Sequence, residues 1–253
     1  MGKTKLFLSP GHNELTFDET GAKGGIYPDG RFEEFNFNIA VINELVVLLQ
    51  PYKEWFEIIQ LEFDNNKVDY TLVERIKKIN LTGVESDLTI AIHANAGDKE
   101  VNGQWGFYAS SRGLDFLNIF AKHVKDSLVP YTKHYKCIKE TWTSFGIVLN
   151  TIPVAVLLEL GFFTNDHDRA LLRSPTFIKY CASKILASIL EYYNIKNLKD
   201  DKKTWIELIQ ATKYPNEWTN NIQRGVTLAT EYNIGELDFI KHLPDLIETI
   251  GNE

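Results

Sequence analysis

Apolar positions recur along this chain with periods near 2 and near 3.6, and the switches between the two mark out its elements. Lys5–Ser9 is a short apolar run ending in the turn Ser9-Pro10-Gly11, which predicts a first strand. The polar, glycine-rich stretch from Asn13 to Arg31 is expected to be loop. Over Glu34–Gln50, Phe35, Ile39, Ile42, Leu45, Val46 and Leu49 follow helical spacing until Pro51 stops the run. Trp55–Phe63 alternates as a strand, and Val68–Leu81 carries Val68, Leu72, Val73, Ile76 and Ile79 at helical intervals before Gly83. Leu88–His93 is an apolar strand that ends in a histidine. Gly97–Gly103 is polar loop, Gly106–Ala109 a strand, and Gly113–Leu128 a helix. Val154–Leu160 is almost wholly apolar and rich in valine and leucine, as expected of a strand buried on both faces. Helices are predicted at Asp166–Arg173 and Pro175–Tyr193. Strands alternating with helices place the chain in the α/β class, with a mixed, mostly parallel sheet flanked by helices.

The pattern breaks at 196–203, Lys-Asn-Leu-Lys-Asp-Asp-Lys-Lys, which is the expected linker. Beyond it Thr204–Lys213, Pro215–Tyr232 and Gly235–Ile250 predict three helices, so the expected organisation is a domain at 1–195 and a small all-α domain at 204–253. The length of 253 residues suits this division. Lys and Arg number 27 against 34 Asp and Glu, a net charge of −7 that argues against general affinity for phosphate backbones. From Asp200 onward 5 basic residues face 10 acidic ones, so most of the imbalance lies in the tail. No stretch approaches the roughly 20 apolar residues that span a bilayer, so no membrane is expected. The apolar run Leu6-Phe7-Leu8 is too short for a signal-peptide core, and synthesis in the cytoplasm is expected. Cys137 and Cys181 make no disulfide framework, and both are expected to be reduced.

Polar residues stand at the strand ends, where open α/β sheets place ligand sites. His12 follows the first strand, His93 closes the Leu88–His93 strand, and Glu159 lies near the end of Val154–Leu160. Glu33 and Glu34 open the first helix. Two histidines and a carboxylate form a zinc set that leaves a position for water or substrate, and a second carboxylate beside it can act as a base. Each residue also has an ordinary structural reading. A histidine in a Pro-Gly turn can be a turn residue, and acids in a first helical turn are favoured by the helix dipole. Glu159 is harder to dismiss, because an ionised carboxylate in so apolar a run costs several kcal/mol unless paired or metal-bound.

Four motifs in order carry a more specific signal. They are Ser9-Pro10-Gly11-His12; Glu34-Phe35-Asn36-Phe37-Asn38; Ile90-Ala91-Ile92-His93-Ala94-Asn95-Ala96; and Pro153 through Phe162. The series resembles the zinc-dependent N-acetylmuramoyl-L-alanine amidases, which cleave bacterial peptidoglycan. Leu72-Val73-Glu74-Arg75 with Asn80 matches the helix before the second-histidine strand, and Asn165-Asp166 the end of the last. The resemblance runs from Lys3 to Tyr193 and implies one zinc ion per site, with His12, Glu34 and His93 as ligands and Glu159 as the catalytic carboxylate. Glu34 is chosen over Glu33 because the family pattern is Glu-x-x-x-Asn and Asn38 lies four residues on, on the same helix face. Asn13-Glu14 replaces the glycines common after the first histidine, and Phe35 replaces a frequent lysine.

The implied activity is hydrolysis of the amide bond between N-acetylmuramic acid and L-alanine. The partner is then the bacterial cell wall. Without an export signal the expected role is a phage endolysin, released from the host cytoplasm through a holin-type pore or by lysis. The alternatives are a bacterial autolysin or sporulation lysin, another zinc peptidase such as a carboxypeptidase, and a non-catalytic wall-binding protein. The helical tail is expected to target the wall, the alternative being a structural or oligomerising appendage. His123 and His242 are expected on the surface. His134 and His167 are minor candidates for substrate contact, and Tyr135 and Trp142 for lining a groove.

Overall fold

The computed structural model describes residues 2–12, 23–61, 70–125 and 145–196, and the backbone alone of 135–139. The helices expected within 204–253, the linker beyond Lys196, and His134, Trp142 and His242 lie outside the described residues, as do the side chains of Tyr135 and Cys137.

In chain order the elements are β1 (Thr4–Pro10), β2 (Gly24–Tyr27), β3 (Gly30–Glu33), α1 (Glu34–Leu49), β4 (Phe56–Gln60), α2 (Leu72–Thr82) and β5 (Leu88–Asn95). They continue with β6 (Gln104–Tyr108), α3 (Ser111–Lys125), β7 (Tyr135–Lys139), α4 (Gly146–Leu149), β8 (Val154–Phe162), α5 (Asp166–Leu172) and α6 (Pro175–Tyr192). Six strands form one sheet in the order β4-β1-β5-β8-β6-β7. The first four are mutually parallel, β6 runs antiparallel to β8, and β7 is parallel to β6. The sheet is mixed and mostly parallel, as its apolar runs predict.

Strand alternation divides the interior in two. Leu6 and Leu8 of β1, Leu88, Ile90 and Ile92 of β5, and Val154, Val156 and Leu158 of β8 point to one face, where α1, α3 and α6 cover them. Each such side chain contributes about 1.5–3 kcal/mol when fully buried. Phe7, Ala91, Phe107 and Leu157 point to the other face and pack with Ile79 of α2 and Ile147 and Val148 of α4. This second cluster is smaller. His93 and Glu159 continue the alternation of Ala91 and Leu157, so they belong to the second face.

β1 connects outward to β4 through α1, whereas β5 connects the other way to β6. The carboxyl ends of the adjacent strands β1 and β5 therefore form a switch point, the usual place for a ligand crevice in such sheets.

The structure departs from the sequence pattern at the hairpin, at β6 and β7 and at the start of α2. Most of the β2–β3 hairpin falls within the stretch expected as loop; its four-residue strands are too short to show a period, and Gly30 opens β3 at φ 107°. β6 begins at Gln104, before the predicted Gly106, and β7 was not expected. The α2 helix starts at Leu72 rather than Val68, because Thr71 caps it reciprocally with Glu74.

Candidate active site

β1 leads directly into the site. After Pro10, the Gly11 N–H donates to the Ile92 carbonyl at 2.7 Å, and the chain turns at His12 with φ 58°. A Cβ on Gly11 would lie 2.3 Å from the His93 ring, so this position has room only for glycine.

The hairpin delivers the carboxylate. Arg169 of α5 lies 3.9 Å over the Tyr27 ring and donates to Asp29 at 3.0 and 3.1 Å, and Arg173 donates to Asp29 at 2.6 Å. These contacts anchor β2 and β3 to α5, and β3 ends where α1 begins. Glu33 occupies the N-cap and turns outward, 2.7 Å from Arg31 and accepting from Asn36. Glu34 turns inward and is 2 % exposed. Its Oε2 lies 3.1 Å from Nε2 of His12 and its Oε1 lies 3.0 Å from Nδ1 of His93. Oε1 also accepts from the Ala94 N–H and the Asn38 amide, each at 3.1 Å. The same Asn38 amide donates to the Gly11 carbonyl at 3.0 Å. Burial would raise the pKa of Glu34, but hydrogen bonds from His12 and His93 and their charges outweigh it and hold the carboxyl at about 2.

His12, Glu34 and His93 each offer one ligand atom, all within 4.8 Å of one another. Two imidazole nitrogens and a carboxylate oxygen are a zinc-type donor set, with protein partners holding the carboxylate from behind. The residues fit such an ion.

Glu159 pairs in register with His93 on one side and with Trp105 on the other. It is 7 % exposed, and its Oε2 has no hydrogen-bond partner among the described residues. Burial, reinforced by the negative charge of Glu34, pushes its carboxyl well above the ordinary range. Beyond it, Gly161 bends the strand at φ 150°, and the buried Asp168 accepts from the Phe162 and Gly103 N–H groups at 3.0 and 2.8 Å. The ends of β8 and β6 are thereby tied together.

The structure thus groups His12, Glu34 and His93 and sets Glu159 beside His93, whereas Glu33 stays outside. His167 is exposed on α5, and His123 pairs with Glu191 across α3 and α6, partly buried rather than free on the surface. Cys181 is a buried free thiol. Trp105 is a neighbour of Glu159 that sequence reasoning missed. It packs edge-on against Phe162 at 5.2 Å, and a strand period started at Gln104 would have put it on the Glu159 face. No helix among the described residues is long and apolar enough to cross a membrane.

Comparison with known proteins bears on this geometry. An uncharacterized protein of Bacillus subtilis (strain 168), YqiI, is 27% identical over 194 residues, covering 76% of this chain and 86% of that protein. The endolysin of Bacillus phage SPP1 is 26% identical over 134 residues, 52% of this chain and 49% of the endolysin. The catalytic domain of CwlV, an N-acetylmuramoyl-L-alanine amidase from Bacillus (Paenibacillus) polymyxa var. colistinus, shares the fold with a TM-score of 0.63 at 22% identity, over 76% of this chain and 99% of that domain. The profile of the N-acetylmuramoyl-L-alanine amidases matches residues 6–191, from β1 to the last turns of α6. With that match over most of its length, the chain belongs to the N-acetylmuramoyl-L-alanine amidase family and is an enzyme of that activity.

Proposed function

We propose that the protein is a zinc-dependent amidase that acts on peptidoglycan as a phage endolysin, with His12, Glu34 and His93 as ligands and Glu159 as the catalytic carboxylate. The observation that carries the site assignment is the contrast at its centre, three convergent donors beside a buried carboxylate with an unpartnered oxygen. Zinc in this position supplies Lewis acidity to the scissile carbonyl and lowers the pKa of the attacking water. Glu159 removes a proton from that water as its oxygen bonds to the lactyl carbonyl carbon. It then delivers the proton to the departing nitrogen as the C–N bond breaks. The products are the lactyl carboxylate and a stem peptide with a free L-alanine amine.

The endolysin role is supported by the relative in phage SPP1. The segment 204–253 is proposed to bind the wall, following its expected helical pattern.

The test is digestion of purified Gram-positive walls with the full chain. Mass spectrometry should find intact stem peptides with a new L-alanine amine, and a chelator should abolish their release until zinc is restored. Cleavage within the stem peptide would replace the amidase reading with a peptidase one. His93→Ala should lose both metal and lysis, and retained metal in that variant would overturn the ligand set. Loss of wall binding in a chain ending at Lys199 would support the targeting role, and undiminished binding would remove it.

A further inference from the structure

We propose that Arg75 is a positioning residue for the metal centre, its guanidinium clamping the Ser9–His12 segment so that the His12 imidazole is presented to the site. The inference rests on the metal-centre reading above. The capping box at Thr71 and Glu74 fixes the start of α2 and puts Arg75 one turn inside it, 5 % exposed. Its Nε donates to the Tyr70 carbonyl at 3.0 Å, which orients the plane of the guanidinium. One terminal nitrogen then donates to the Ser9 hydroxyl at 2.9 Å and to the Pro10 carbonyl. The other donates to the His12 carbonyl at 3.0 Å.

The Gly11 carbonyl between them is held by Asn38. Three consecutive carbonyls at the end of β1 are therefore fixed from outside the strand, two by Arg75 and one by Asn38. The segment needs such a clamp. Gly11 must lack a side chain to admit the His93 ring, and His12 adopts a left-handed conformation that is strained for a non-glycine residue. A planar fork with fixed donor directions can bridge both carbonyls, which the single point charge of a lysine cannot.

The test is zinc affinity, measured by chelator competition on the full chain, for Arg75→Lys, Arg75→Met and Arg75→Ala. Partners that orient a ligand typically carry about 10–100-fold in metal affinity, and a loss of that size is expected in each variant. Added methylguanidinium should restore part of it in Arg75→Ala. Ile79→Ala, a core change on the same helix, should lower the melting temperature yet leave zinc affinity unchanged. Wild-type zinc affinity in the Arg75 variants, or an equal loss in Ile79→Ala, would overturn the positioning role. Failure of the metal-centre reading looks different: the wild-type chain would bind no zinc, or His12→Ala would bind it as tightly as wild type.

Discussion

Glu34 and Glu159 stand at the same edge of the sheet, both nearly sealed from solvent, and their surroundings are opposite. The Glu34 corner is where the first turn of α1 meets the ends of β1 and β5. It surrounds its carboxylate with two imidazoles, a backbone N–H and a carboxamide. The Glu159 pocket lies between β5 and β6 and leaves Oε2 without a partner among the described residues. Burial acts to raise the first carboxyl, yet its hydrogen bonds hold it at about 2, whereas burial and the charge of Glu34 drive the second upward. One residue type in two environments yields an anion held in place and a carboxyl pushed toward its protonated form, a contrast that supports the proposed ligand and proton-transfer roles.

The sharpest way to break this comparison is to neutralise each carboxylate in turn. Glu34→Gln should lose zinc and, with it, lysis. Glu159→Gln should keep zinc at one equivalent while kcat falls about 10²–10⁴-fold, the range of a lost general base. Metal analysis beside turnover on purified walls separates the two. Zinc lost from Glu159→Gln would place that residue among the ligands, and undiminished turnover would take proton transfer away from it.

A smaller effect tests whether the Glu34 corner depends on its second row of partners. Asn38→Ala removes the amide shared by Glu34 and the Gly11 carbonyl. Zinc affinity should weaken about 10–100-fold, with kcat close to wild type once zinc is saturating. A lowered kcat at saturating zinc would show instead that Asn38 acts on the reaction itself.

The two regions were also unequally legible in the sequence. The Glu159 strand declares itself, because all nine residues of β8 are buried and an acid in so apolar a run needs a reason. His93 is marked in the same way at the end of β5. The Glu34 corner is different, since Glu33 and Glu34 are adjacent acids at a helix start and one dimension does not say which turns inward. The resemblance to the family's Glu-x-x-x-Asn pattern picks out Glu34, and the structure puts Glu33 beside Arg31. The hairpin that positions this corner leaves no periodic trace, because Ile26 is 71% exposed and Phe32 packs on Phe163 instead of on a sheet partner. Arg75 enters the sequence pattern only within the Leu72–Arg75 match, which says nothing of its burial. A cation in a helix next to the exposed Leu72 and Val73 gives no sign that its head is buried under the His12 turn.

The smallest predicted effect sharpens the comparison without any catalysis. In the metal-free protein, protonated Glu159 is favoured in the folded state and its value lies above the unfolded value of 4.5. Below about pH 4.5 both states hold the proton, so the group's full stabilising contribution is present. As pH rises from there through the raised folded value, the unfolded chain gives up its proton first and stability is lost. Glu34 runs the other way. Its contribution is present above 4.5 and is lost as pH falls toward about 2. Glu159→Gln removes only the first of these, so the metal-free variant should melt above the metal-free wild type at neutral pH. Each kcal/mol of relief corresponds to about 2–4 °C in a chain of this size. The two melting curves should converge below about pH 4.5, where wild-type Glu159 is itself neutral. An equal melting temperature at neutral pH would mean that the pocket supplies ionised Glu159 with a partner, and the contrast with Glu34 would vanish.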